Sequence, residues 1–220
     1  MPHTPRPHSQ PLSHGARGAD CAEPKDRALL EAIDAFLARE VRPVARELDH
    51  ADTWPADIVE KMRAMGLFGC IIEERYGGLG LTAATYARII ERISAVWMSL
   101  AGIINSHLIM AALVQRAGTE EQRQRYLPRF ASGELRGGLA LTEPDCGTDL
   151  QAIRTTARRD GEHYVIDGTK TWISNGIQGH CLAALVKTDP RAEPRHRGMS
   201  VFICEKGPGF EASRKLEKLG

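Results

Sequence analysis

Two short polar runs in the second half of the 220-residue chain hold its most chemically suggestive residues. The first is Leu139-Ala140-Leu141-Thr142-Glu143-Pro144-Asp145-Cys146-Gly147-Thr148-Asp149, and the second is Gly168-Thr169-Lys170-Thr171-Trp172-Ile173-Ser174-Asn175-Gly176. Each couples a short apolar stretch to hydroxyls and glycine, the makings of a strand end that offers backbone N–H groups and hydroxyls in fixed positions. Trp172 adds an aromatic face. Taken singly, these residues have plainer uses: Thr142 and Thr148 can cap turns, Trp172 can fill a core, and Asn175-Gly176 is a common turn pair. Asp149 and Asn175 read as structural.

Other chemistries find no support. G-x-S-x-G, H-E-x-x-H and G-x-x-x-x-G-K-[ST] are absent, and Gly77, Gly78 and Gly80 lack the third glycine and preceding strand of a dinucleotide fingerprint. The eight histidines show no metal-ligand spacing. His107 lies in an apolar helical run and reads as a hydrogen-bonded core residue rather than a catalytic one. Five scattered cysteines (Cys21, Cys70, Cys146, Cys181, Cys204) contain no C-x-x-C pair, so they are expected as reduced thiols. Lysine and arginine total 29 against 28 acidic residues, which gives no charge-based reason to expect nucleic acid as a partner. No window approaches about 18 uninterrupted apolar residues, and no secretory signal opens the chain. No membrane span is expected, and the expected location is cytoplasmic.

The elements that must position the two runs follow from periodicity. Residues 1–24 are proline-rich and poor in aliphatics, so a disordered tail is expected there, with a mitochondrial transit peptide as the alternative. Residues 25–135 show helical spacing: Leu29 to Leu48 with a kink at Pro43, Ile58 to Met65 ended by Gly66, Tyr86 to Val96, Ile103 to Val114, and Glu120 to Ala131 behind a Thr119/Gln122 capping box. Tyr76-Gly77-Gly78-Leu79-Gly80 reads as a turn. From residue 136 to 220 the period becomes strand-like, over Leu139–Leu141, His163–Ile166, Thr171–Ile173, Leu182–Val186 and Ser200–Cys204, with Asp167-Gly168 as a hairpin turn. Helices first and strands afterwards predict an α+β architecture: an N-terminal α-helical bundle domain, then an antiparallel β-barrel-like domain. Ending at Lys218-Leu219-Gly220 without a terminal cap, the second domain is expected to be incomplete.

At the two polar runs the sequence resembles the acyl-CoA dehydrogenase family, through the patterns L-T-E-P-x-x-G-[ST]-D and G-x-K-x-W-I-[ST]-N. The resemblance runs from about residue 25, through Tyr76-Gly77-Gly78-Leu79-Gly80, to the last residue. It implies FAD as cofactor, an acyl-CoA thioester as substrate and 2-enoyl-CoA as product, in fatty-acid or amino-acid catabolism. It places Leu139, Ala140, Leu141, Thr142, Gly147 and Thr148 along the flavin and its pyrophosphate, with Thr148 also reaching the substrate. Trp172 would stack on the ring, beside Ile173, and Ser174 would bond near N5. The arginine-rich loop Arg191–Arg197 would lie near the CoA nucleotide, or else be a solvated loop.

The same resemblance implies electron transfer to an electron-transfer flavoprotein and a homo-oligomer, a tetramer, when complete. It assigns the α-proton base to a C-terminal four-helix domain that does not follow Gly220 in this sequence. No catalytic residue is therefore expected among these 220, Glu143 included, and the chain alone is expected to be inactive. An acyl-CoA oxidase or flavin monooxygenase of the same fold, and a non-catalytic module binding CoA esters or subunits, are the alternative readings.

Overall fold

The computed structural model describes residues 24–217, so the tail expected over residues 1–24 lies outside the described residues except at Pro24, as do Cys21 and the last three positions. Helix α1 (Pro24–Phe36) buries Leu30, Ile33 and Phe36, whose three-residue spacing puts them on one face. Pro43 lacks an N–H, and the helix ends before it: over Leu37–Val41 the bonding widens by one residue, with Arg42 N–H donating to Leu37 O at 2.9 Å. After this break α2 (Ala45–His50) and α3 (Ala56–Ala64) follow. Helix α4 (Ala83–Val96) starts where Thr82 Oγ1 accepts the Thr85 N–H at 3.2 Å. The expected capping box opens α6 (Glu120–Ala131), with Thr119 and Gln122 bonding reciprocally.

Helix α5 (Met98–Ala117) is the hub. By length and composition it could cross a membrane, but here Leu100, Ile103, Ile104, Leu108, Met110 and Val114 are buried against α4, α6 and the sheet. Each such aliphatic side chain contributes about 1.5–3 kcal/mol on full burial. Among them sits His107, fully buried. Its Nε2 lies 3.1 Å from Phe68 O and 3.2 Å from Phe130 O, while its Nδ1 is 3.2 Å from the amide nitrogen of Gly137, the first residue of the sheet. The only tautomer that suits all three is Nε2–H, donating to the carbonyls while Nδ1 accepts. Phe68 and Phe130 meet the ring edge-on, at centroid distances of 5.2 and 5.4 Å. The core-histidine reading is therefore the one observed.

The sheet contains β1 (Gly137–Ala140), β2 (Thr156–Asp160), β3 (His163–Asp167), β4 (Cys181–Lys187) and β5 (Met199–Glu205). β4 is central. β5 pairs antiparallel along one edge, from Cys181↔Glu205 to Lys187↔Met199, and β1 pairs along its first half, from Gly137↔Cys181 to Ala140↔Ala184. β2 meets the end of β4 at Thr156↔Lys187 and forms a hairpin with β3. The helical-then-sheet architecture is as expected, with three differences in detail. The β1–β4 and β2–β4 pairings are parallel, because β1 reaches β4 through a long excursion rather than a hairpin, so the sheet is mixed and, among the described residues, open. β2 was invisible to periodicity because only Ala157 of Thr-Ala-Arg-Arg-Asp is buried, and the hairpin turn falls at Gly161-Glu162 instead of Asp167-Gly168. Thr171–Ile173, expected as a strand, joins no ladder and is broken by a left-handed backbone at Trp172. Cys70 and Cys181 are free thiols pushed up to about 12 by burial.

Burial pushes His107 down to about 4. An unfolded imidazole titrates near 6.5, so between pH 6.5 and about 4 the unfolded chain takes up a proton that the folded one refuses. The stability supplied by the neutral ring is full above pH 6.5 and falls by up to about 3 kcal/mol as the pH drops toward 4. Replacing His107 with leucine should cost about 2–3 kcal/mol at pH 7.5 in urea melts, because Gly137 N–H is left buried without an acceptor. The same variant should lose less stability than the wild type between pH 6.5 and 4; equal losses would contradict a neutral, hydrogen-bonded ring.

Candidate functional site

Beyond Ala140 the chain leaves β1 and makes a tight turn over Glu143–Cys146, with Pro144 at its second position and Glu143 and Cys146 bonded in both directions (2.9 and 3.2 Å). The second polar run returns beside this segment in the opposite sense. Thr171 N–H donates to Thr142 O at 2.9 Å, and four residues upstream of Thr142 the Ser174 carbonyl lies over the Cα of Gly138. The two runs singled out in the sequence are thus neighbours along β1.

A buried ion pair fastens them. Lys170 Nζ bonds Glu143 Oε1 at 2.8 Å and Leu141 O at 2.9 Å, while the Arg154 and Thr155 amides donate to the same carboxylate at 2.6 and 3.0 Å. Burial pushes the Glu143 pKa upward, but Lys170 and the Thr155 and Arg154 donors outweigh it and hold the group down at about 2. A carboxylate so fully engaged is held in its charged form at neutral pH by the donors around it. Neither Glu143 nor Lys170 was given this joining role from sequence. Lys170 is the one basic residue of the second run, but the first run offers Glu143, Asp145 and Asp149 as partners, and sequence alone does not choose among them.

The candidate contact residues divide by exposure. Ala140 is buried, Leu139 is half-buried against the helical core, and Ile173 is half-buried against the sheet cluster that includes Ala140, Leu182 and Val186, so these three offer chiefly backbone and shape. Leu141 and Thr142 are half-buried. Gly147, Thr148 and Ser174 are exposed, and so is Trp172, at 62%. The core reading of Trp172 is therefore wrong. Its backbone is also left-handed, at φ 58°, a conformation costing a bulky residue on the order of 1–3 kcal/mol. The amides of Trp172, Ile173 and Ser174 have no acceptor among the described residues. An exposed indole beside three unpaired donors and a hydroxyl suits a flat heteroaromatic group bearing acceptor atoms.

Asp149, read as structural, accepts the Gln151 N–H at Oδ1 at 3.2 Å and so caps the turn that follows it. β1 and β4 run parallel, so the segment leaving β1 and the loop leaving β4, with its exposed Arg191, Arg195 and Arg197, emerge at the same end of the sheet. Among the described residues no cluster of metal-ligating side chains occurs.

Comparison with known proteins finds relatives over both parts of the chain. Residues 23–134 match the model of the acyl-CoA dehydrogenase N-terminal domain and residues 138–220 that of the acyl-CoA dehydrogenase middle domain. Mitochondrial isovaleryl-CoA dehydrogenase of Pongo abelii is 36% identical over 203 residues, 89% of this chain and 47% of that protein. A solved acyl-CoA dehydrogenase from Geobacillus kaustophilus superposes with a TM-score of 0.83 at 37% identity, over 91% of this chain and 53% of the other. A glutaryl-CoA dehydrogenase from Mycobacterium smegmatis, solved in complex with FADH2, superposes with a TM-score of 0.79 at 27% identity, covering 90% and 50%. The chain spans about half the length of the relatives it matches.

Removing the ammonium from the ion pair should leave the Glu143 carboxylate buried with two amide donors only. Lys170→Met is expected to cost about 3 kcal/mol in chemical denaturation. It should also raise the Glu143 pKa above 2, read by carbon-detected NMR titration of the side-chain carboxyl. An unchanged titration would mean that the two amides alone hold the charge.

Proposed function

Because the chain belongs to the acyl-CoA dehydrogenase family, we propose that the surface carrying Thr142, Gly147, Thr148, Trp172 and Ser174 receives FAD, in a protein that converts acyl-CoA thioesters to 2-enoyl-CoA. The observation that carries this reading is Trp172, solvent-exposed in a left-handed backbone next to unpaired amides. Residues in costly conformations persist where the surroundings impose them, commonly at ligand sites. When bound, FAD supplies the acceptor for the hydride leaving the β-carbon, while a base takes the α-proton.

In this reading Trp172 stacks on the isoalloxazine, and the amides and hydroxyl at Ser174 donate to acceptor atoms on its edge. Thr142 contributes a hydroxyl, and Leu139, Ala140, Leu141 and Ile173 contribute backbone and shape. Gly147 lets the chain approach the pyrophosphate, and Thr148 reaches phosphate or thioester. The arginine loop at the same end of the sheet suits the phosphates of the CoA nucleotide. Glu143 stays an anchor, so the base belongs elsewhere. An electron-transfer flavoprotein as acceptor and a homo-oligomeric assembly complete the proposal.

Titrating FAD into the purified chain should quench flavin fluorescence, and Trp172→Ala should weaken that binding about twofold to tenfold, the equivalent of the 0.5–1.5 kcal/mol that a stacked aromatic typically adds. Because the side chain is exposed, the melting temperature of the flavin-free protein should stay within about 2 °C of wild type. A large drop in melting temperature with unchanged FAD affinity would refute the stacking role.

A further inference from the structure

The turn that presents Trp172 and Ser174 is fixed to the helical core by one side chain. Asn175 Nδ2 donates to Ile103 O in α5 and to Gly137 O at the start of β1, both at 2.9 Å. Its own backbone is left-handed, at φ 61°, and its carbonyl accepts the Gly179 N–H at 2.7 Å. Close packing seals the arrangement: a Cβ on Gly138 would come 2.5 Å from Ser174 O and 3.0 Å from Ser106 Oγ, and one on Gly179 would come 2.5 Å from Asn175 O. No side chain fits at either position without lifting the turn.

An asparagine placed only to tolerate a left-handed backbone would leave its amide in water. Here both amide protons are directed at carbonyls of two different elements. We propose that Asn175 is a positioning residue for the flavin: it sets the height of Trp172 and Ser174 above β1 by tying their turn to α5. The inference rests on the flavin reading of the site. Through Ile103 the same bond sets the flavin-facing turn in register with α5.

Two substitutions separate positioning from turn chemistry. Asn175→Gly keeps the backbone freedom and deletes both donors. Asn175→Asp keeps shape and left-handed tolerance but sets an acceptor against two carbonyls. FAD affinity, the visible absorption band of bound flavin at saturation, and the melting temperature of the flavin-free protein are measured for each and for wild type. Positioning predicts at least fivefold weaker FAD binding in the glycine variant, a larger loss in the aspartate variant, and a displaced flavin band in the glycine variant at saturation. Wild-type affinity and an unmoved band in Asn175→Gly would overturn the proposal, leaving Asn175 a turn residue. Failure of wild type itself to bind FAD would instead refute the reading on which the proposal rests.

Discussion

An imidazole enclosed by protein can serve three backbone groups at once only while it is neutral. His107 meets that condition: it spans the Phe68 and Phe130 carbonyls on one side and the Gly137 amide on the other. A second proton would turn Nδ1 into a donor facing another donor, and the link to the sheet would fail. The seating of β1 on α5 depends on this ring, and β1 is the strand from which both polar runs take their positions. Packing of Met110 and Cys181 beside it gives the junction its apolar area, but apolar contact is non-directional. The three hydrogen bonds specify where along α5 the sheet begins.

Position then passes outward by short, directional links. From β1 the Thr142 carbonyl fixes Thr171, the Glu143 carboxylate fixes Lys170, and Asn175 returns the turn to α5. Replacing a buried ion pair with apolar residues can leave a protein as stable or more so, so the Glu143–Lys170 pair is better understood as a register device than as a source of stability. What the links hold in place is locally unfavourable: a tryptophan in left-handed backbone with its ring in solvent. The surrounding bonds offset that cost and hold the indole beside three amides that lack an acceptor among the described residues.

Much of this was legible in the sequence, for physical reasons that differ by region. The helices announced themselves because a buried face must recur every three to four residues, and because the Pro43 break, the Gly66 stop and the Thr119/Gln122 cap are local chemistry. The polar runs were legible as motifs. The strands were less uniform: β2 lies at the sheet margin with Ala157 alone buried, which removes the alternation that betrays a strand, whereas the apolar run of β3 was legible although its side chains are exposed. Thr171–Ile173 showed the opposite failure, its strand-like alternation spent on a bend around the left-handed Trp172 instead of a ladder. Parallel pairing of β1 with β4 and the partners of Glu143, Lys170 and Asn175 depend on contacts between residues tens of positions apart, which no local pattern encodes.

Backbone amide NMR of the uniformly labelled chain during addition of FAD bears most directly on the claim that the two polar runs form one cofactor face. The flavin assignment predicts that the amides of Thr142, Trp172, Ile173 and Ser174 shift together, with one saturation curve, while those of α1 to α3 stay still. Shifts confined to the arginine loop, or separate saturation of the two runs, would contradict it.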